Sequence, residues 1–130
     1  MKKHLPISSV LLLLAGCAAP QLSQTELANA DYGRQATATE CTSIAEDYIK
    51  ATLKDPFSAQ FVHGRACYKG ALKRSLMQGG SWVFGYLQEG TVNAKNSYGG
   101  YVGFRSYKAL IRDGIVVNYC TVDPADGICM

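Results

Sequence analysis

The strongest constraint on how this chain folds is a change of hydrophobic period at Asp55-Pro56. Upstream of it, Cys41, Ile44, Ala45, Tyr48, Ile49 and Thr52 recur at helical spacing. Thr37-Ala38-Thr39-Glu40 opens that stretch as a capping box, in which the threonine oxygen and the glutamate satisfy each other's orphan backbone donors. Glu46 and Lys50 pair four apart on the outer side. An amphipathic helix of about 17 residues is expected, and Pro56 stops it because the residue before a proline is pushed out of the α region.

From Ala59 onward the period falls to two, and strands are expected over Gln60 to Tyr68, Trp82 to Ala94, Tyr101 to Ile111 and Ile115 to Val122. Trp82, Phe84 and Tyr86 share one strand face. Asp113-Gly114 is a two-residue hairpin signal, since both central positions of a type I′ turn need positive φ. The stretch from Gly70 to Ser81 is the least determined. One helix followed by strands predicts an α+β domain over residues 37–130, an N-terminal amphipathic helix packed on an antiparallel sheet of about four strands. A chain of 130 residues has room for one such domain.

The N-terminus is an address rather than a structural element. Lys2 and Lys3 precede Leu5 to Ala15, an apolar run of roughly eleven residues, the length of a signal h-region and well short of a bilayer-spanning helix of about 20. The run ends in Leu14-Ala15-Gly16-Cys17, which resembles a bacterial lipoprotein leader: a bulky apolar residue, two small ones, then the cysteine whose thiol accepts a diacylglyceryl group. The resemblance implies a signal peptide over residues 1–16, acylation of Cys17 and stable anchoring by several chains. Ala18 stands where an inner-membrane retention aspartate would, so the resemblance further implies the outer membrane, periplasmic side. Residues 17–36 carry few large apolar side chains and read as a flexible tether, with room for a helical turn around Glu26 to Asp31.

Cleavage takes two lysines with the leader and brings the remaining charge close to neutral. A clustered basic patch, which nucleic-acid binding requires, is missing. Lys69, Lys73 and Arg74 form a local basic stretch by the glycine-rich loop and read as a solvated face, with a phosphate or lipid-headgroup site as the alternative. With Cys17 acylated, Cys41, Cys67, Cys120 and Cys129 remain, an even number in a compartment that permits disulfides. Two bridges are expected. Four cysteines allow three connectivities, and the reading leans towards a bridge from Cys120 or Cys129 back to Cys41 or Cys67. No spacing suits zinc, and no metal or cofactor is expected.

Two blocks stand out together, Leu53-Lys54-Asp55-Pro56-Phe57-Ser58-Ala59-Gln60-Phe61 and Val92-Asn93-Ala94-Lys95-Asn96-Ser97-Tyr98-Gly99-Gly100-Tyr101-Val102-Gly103-Phe104. They resemble small exported bacterial proteins, many of them lipoproteins, that carry a helix, a D-P-x-S-A-x-F step and a glycine-rich aromatic hairpin. The resemblance implies a fold and an export route but no reaction. Read residue by residue, Phe57 and Phe61 offer apolar anchors after the helix stop, while the second block is an elaborate turn. The alternative makes that loop a polar and aromatic patch for a glycan or partner protein, through Asn93, Lys95, Asn96, Tyr98 and Tyr101.

Catalysis finds little support. After the leader the only histidine is His63, in a strand, read as a sheet-surface residue. Asp47, Asp55, Glu89 and Asp113 fall where capping and solvation explain them. No phosphate loop or dinucleotide fingerprint occurs. The leading expectation is a non-catalytic envelope lipoprotein that binds a protein or cell-wall component. A second is an inhibitor or exclusion lipoprotein that inserts an aromatic loop into a partner; a third, a small hydrolase, needs His63 beside a carboxylate or hydroxyl in a pocket.

Overall fold

A computed structural model describes residues 21–130. The expected signal peptide, Cys17 and the first part of the tether lie outside the described residues. A short helix α1 (Gln24–Asn29) is capped by Ser23 and Glu26, each satisfying the other's backbone donor. The main helix α2 (Ala38–Thr52) starts at its expected cap, Thr37, whose hydroxyl accepts from Glu40 N at 3.2 Å. α2 is thus the second helix rather than an N-terminal one.

Five antiparallel strands follow: β1 (Gln60–His63), β2 (Tyr68–Lys73), β3 (Trp82–Asn93), β4 (Arg105–Arg112) and β5 (Ile115–Thr121). The expected count of about four is corrected to five because the strand foreseen over Gln60 to Tyr68 is broken. β1 pairs with Gly90 to Asn93 and β2 with Trp82 to Leu87, end to end along one side of β3. At the break, Gly64 N donates to Glu89 O at 3.0 Å, and a Cβ on Gly64 would lie only 3.2 Å from that oxygen. Cys67, at the far side of the break, is bonded to Cys41 of α2, which draws the chain off the sheet line. The order continues β3-β4-β5, and the Asp113-Gly114 turn has φ of +52° and +85°, as a type I′ hairpin demands.

Strand alternation fills both faces. Cys41, Ala45 and Ile49 of α2 cover Tyr86, Tyr107, Ala109 and Ile111 on one. Leu72, Leu87, Leu110 and Cys120 form a second cluster on the other. The Asn118 side chain of β5 donates to Lys73 O of β2 at 3.4 Å, so the sheet curls until its outer strands meet. Residues 31–36, placed by sequence in the tether, lie on the domain: Tyr32 meets Phe84 edge-on at 5.8 Å, Arg112 pairs with Asp31, and Arg34 pairs with Glu40.

The disulfides are Cys41–Cys67 and Cys120–Cys129. Two bridges were expected, but the lean towards a link between the two halves is corrected. Each bridge closes locally: Cys67, just before β2, sits at the N-terminal turn of α2 with its sulfur 3.7 Å from Thr37 O, and the tail turns back on β5 through the Val122–Cys129 pairing. No helix among the described residues is long and apolar enough to cross a membrane.

Candidate functional site

The two sequence blocks fold into one tip. After α2, Pro56–Ser58 makes a single 3₁₀ turn. Ser58 then clamps the loop between β3 and β4: its hydroxyl donates to Asp55 O at 2.8 Å and accepts from Lys95 N at 2.8 Å, while its carbonyl accepts from the Tyr101 hydroxyl at 3.2 Å. Within the loop, the Asn96 side-chain oxygen accepts from Tyr98 N at 2.9 Å and Gly100 N at 3.2 Å. The Asn93 side-chain oxygen accepts from Gly103 N at 3.0 Å, and Gly103 needs its φ of +94° to present that donor. Lys95 and Tyr101 are bridged across the loop, and the Lys95 ammonium sits 5.5 Å from the Tyr101 ring centre.

This hydrogen bonding holds apolar side chains out in water. Phe57 is 101% exposed and Tyr98 96%, beside a half-exposed Tyr101, Val102 and Phe104. Next to them a cavity of about 290 Å³ is lined by Leu53, Lys54, Val92, Lys95, Val102 and Arg105. Lys54, Lys95 and Arg105 carry no ion pair among the described residues, so the tip combines aromatic surface with unneutralised positive charge.

All five residues of the expected loop patch, Asn93, Lys95, Asn96, Tyr98 and Tyr101, therefore belong to the tip, in two roles. Asn93 and Asn96 spend their side-chain oxygens on the loop itself; Lys95, Tyr98 and Tyr101 form its surface. Sequence reasoning missed Lys54, Val102, Phe104 and Arg105, and it read Phe57 as an apolar anchor. That reading of Phe57 is corrected: the 3₁₀ turn points it away from the core. Phe61 does pack against the core beneath α2.

His63 is not isolated on a flat sheet. Its Nε2 lies 2.8 Å from Glu46 Oε1, its Nδ1 lies 3.4 Å from the Tyr107 hydroxyl, and its ring stacks on Phe61 with centres 6.0 Å apart. Burial works to raise the Glu46 carboxyl, but the hydrogen bonds from Lys50 and His63 and their charges outweigh it and hold the group below its ordinary value. Burial, followed by the Glu46 charge and Tyr119, pushes the Tyr107 phenol up to about 12. Both ring nitrogens of His63 are engaged, and Tyr107 is 1% exposed. The arrangement ties α2 to the sheet, and His63 and Tyr107 also line an open cavity of about 330 Å³ together with Val62, Glu89 and Ser106. Among the described residues no cluster of three or more His, Cys, Asp or Glu side chains could hold a metal ion.

Comparison with known proteins returns no matching family model, no matching curated protein and no matching solved structure.

Proposed function

We propose that this chain is a non-catalytic envelope lipoprotein, held by an acylated Cys17 on the periplasmic side of the outer membrane, whose tip binds a partner protein or a cell-wall component. The observation that carries the reading is the full exposure of Phe57, on the 3₁₀ turn, and of Tyr98, on the loop that Ser58, Asn93 and Asn96 hold by hydrogen bonds. Aromatic side chains held out in water on a fixed backbone lose little entropy when a partner covers them, which is what a binding anchor needs. Two disulfides in so small a domain support export to an oxidising compartment. Burial of Tyr107, whose hydroxyl faces His63, supports a structural role for the pair.

A photo-crosslinking residue in place of Tyr98, in the native host, tests the proposal. The expected result is one defined adduct that is lost when Phe57→Ala and Lys95→Ala are added, with thermal stability unchanged because Phe57 and Tyr98 contribute nothing to the core. Repeated failure to capture any adduct overturns it. The inhibitor or exclusion reading shares this geometry, since Tyr98 stands out far enough to enter a cleft. It is favoured if the adduct is an enzyme or secretion component whose activity the chain reduces.

A further inference from the structure

A second site, independent of the tip, lies where β2, β5 and the C-terminal tail approach one another. Its largest part is a cavity of about 750 Å³, within the range of roughly 300–1,000 Å³ typical of small-molecule sites. Leu72, Leu76, Trp82, Ile128 and Met130 give it apolar walls, and the Cys120–Cys129 bridge ties its C-terminal wall to β5. The tail is fixed there by Met130 N donating to Thr121 O at 2.9 Å and Asp123 N donating to Ile128 O at 2.9 Å. The apolar groups are nonetheless wet: Leu76 is 89% exposed, Met130 73% and Ile128 62%.

A smaller cavity of about 420 Å³ adjoins it and is polar, lined by Tyr48, Arg74, Gln78, Asn118 and Tyr119 among others. Arg74, Gln78, Asn118 and Tyr119 line both, so the two are parts of one groove. No acidic side chain lines either part. Lys73 and Arg74 have no ion-pair partner among the described residues. Lys73 and Arg74 of the basic stretch that the sequence assigns to a solvated face thus stand where apolar and polar walls meet, while Lys69 sits apart over the Tyr32 ring.

We infer that this groove binds a single anionic amphiphile, an acyl chain lying along Leu72, Leu76, Trp82, Ile128 and Met130 with its carboxylate or phosphate head on Lys73 and Arg74. Removal of the chain from water supplies the apolar part of the affinity. The guanidinium of Arg74 can meet a carboxylate or phosphate with two parallel hydrogen bonds, and the amides of Gln78 and Asn118 offer further donors. A neutral ligand would leave the two cations unused, and an inorganic anion would leave the apolar wall in water.

Trp82 is the only tryptophan of the chain and lines the groove, so its fluorescence reports occupancy directly. The full-length chain, kept soluble in a non-ionic polymer that carries no tryptophan, is titrated with laurate below its micelle concentration. Four comparisons accompany it: monolaurin, which has the same chain and no charge; inorganic phosphate; vesicles of phosphatidylglycerol; and the variants Lys73→Gln/Arg74→Gln, Leu76→Glu and Met77→Glu. The substituted side chains are exposed, so folding is preserved. Expected are saturable one-to-one binding of laurate, affinity about tenfold weaker for monolaurin and for Lys73→Gln/Arg74→Gln, loss of binding in Leu76→Glu, an unchanged Met77→Glu, and no response to phosphate. Monolaurin matching laurate, equal effects of Leu76→Glu and Met77→Glu, or a signal from vesicles alone would overturn the inference.

Discussion

Tyr107 shows how a buried side chain makes the fold sensitive to alkaline pH. Its phenol is pushed up to about 12 by burial first, then by the Glu46 charge and Tyr119, whereas an unfolded tyrosine ionises near its ordinary 10. Between those values the folded chain keeps a proton that the unfolded chain has lost. The stabilisation is therefore complete below pH 10 and disappears as pH rises through 12. Tyr107→Phe is expected to lower stability slightly at pH 7, since only a long hydrogen bond to His63 is lost, and to flatten the fall in melting temperature above pH 10. Parallel profiles for the two proteins would contradict this. Glu46 acts at the other end of the scale. Held below its ordinary 4.5, its carboxylate stabilises the fold above that value, and the contribution fades as pH falls through its lowered value. Glu46→Gln should make acid unfolding shallower below pH 4.5, as followed by circular dichroism.

Among the elements, the two disulfides do unequal work. Cys41–Cys67 spans 26 residues and joins α2 to the start of β2, whereas Cys120–Cys129 spans 9 and secures only the tail. Loop-closure entropy assigns about 3.5 kcal/mol to the first and about 2.6 kcal/mol to the second. Cys41→Ala/Cys67→Ala should accordingly lose more stability in urea unfolding than Cys120→Ala/Cys129→Ala, with a further cost because Cys41 is fully buried. Equal losses would mean that the helix is held by its apolar face alone. The elements themselves were legible where local chemistry decides them: the Thr37 cap, the Pro56 stop, the long alternating strand β3 and the Asp113-Gly114 turn. The break between β1 and β2 was not, because Gly64 reads as an ordinary strand glycine until Glu89 O is found beside it. Cysteine pairing was hidden for the same reason. Spacing does not reveal that Cys67 comes to the first turn of α2 or that the tail turns back on β5. The loop patch was visible as unusual chemistry, but its union with Phe57 depends on Ser58 meeting Lys95 and Tyr101, 37 and 43 residues away, and no local pattern encodes such contacts.

At the scale of the whole molecule, the ends of β3 separate what holds the chain from what it presents. The segment leading out of the expected tether docks at one end, where Arg34 N donates to the Asp113 side chain at 2.7 Å and Tyr32 meets Phe84. The tip begins at the other end, after Asn93. β3 has 12 residues, which places the two ends about 40 Å apart at about 3.3 Å per residue. From Cys17 to the docked Asp31, six residues are helical in α1, so that connection reaches at most about 35 Å. With Tyr32 and Arg34 docked, an acyl anchor on Cys17 would keep the Trp82 end of β3 within about 35 Å of the bilayer, and a domain standing upright on that connection would carry Phe57 and Tyr98 away from it. The expectation is testable with lipids that carry a quencher on the headgroup. In proteoliposomes of the acylated chain, Trp82, at the anchored end of β3, should be quenched more strongly than an indole moved to the tip by Tyr98→Trp with Trp82→Phe. Stronger quenching at the tip would show that the aromatic loop rests on its own membrane. The exposed Phe57 and Tyr98 would then be a second membrane contact, and the proposal that the tip binds a partner protein or a cell-wall component would fall with the geometry that supports it.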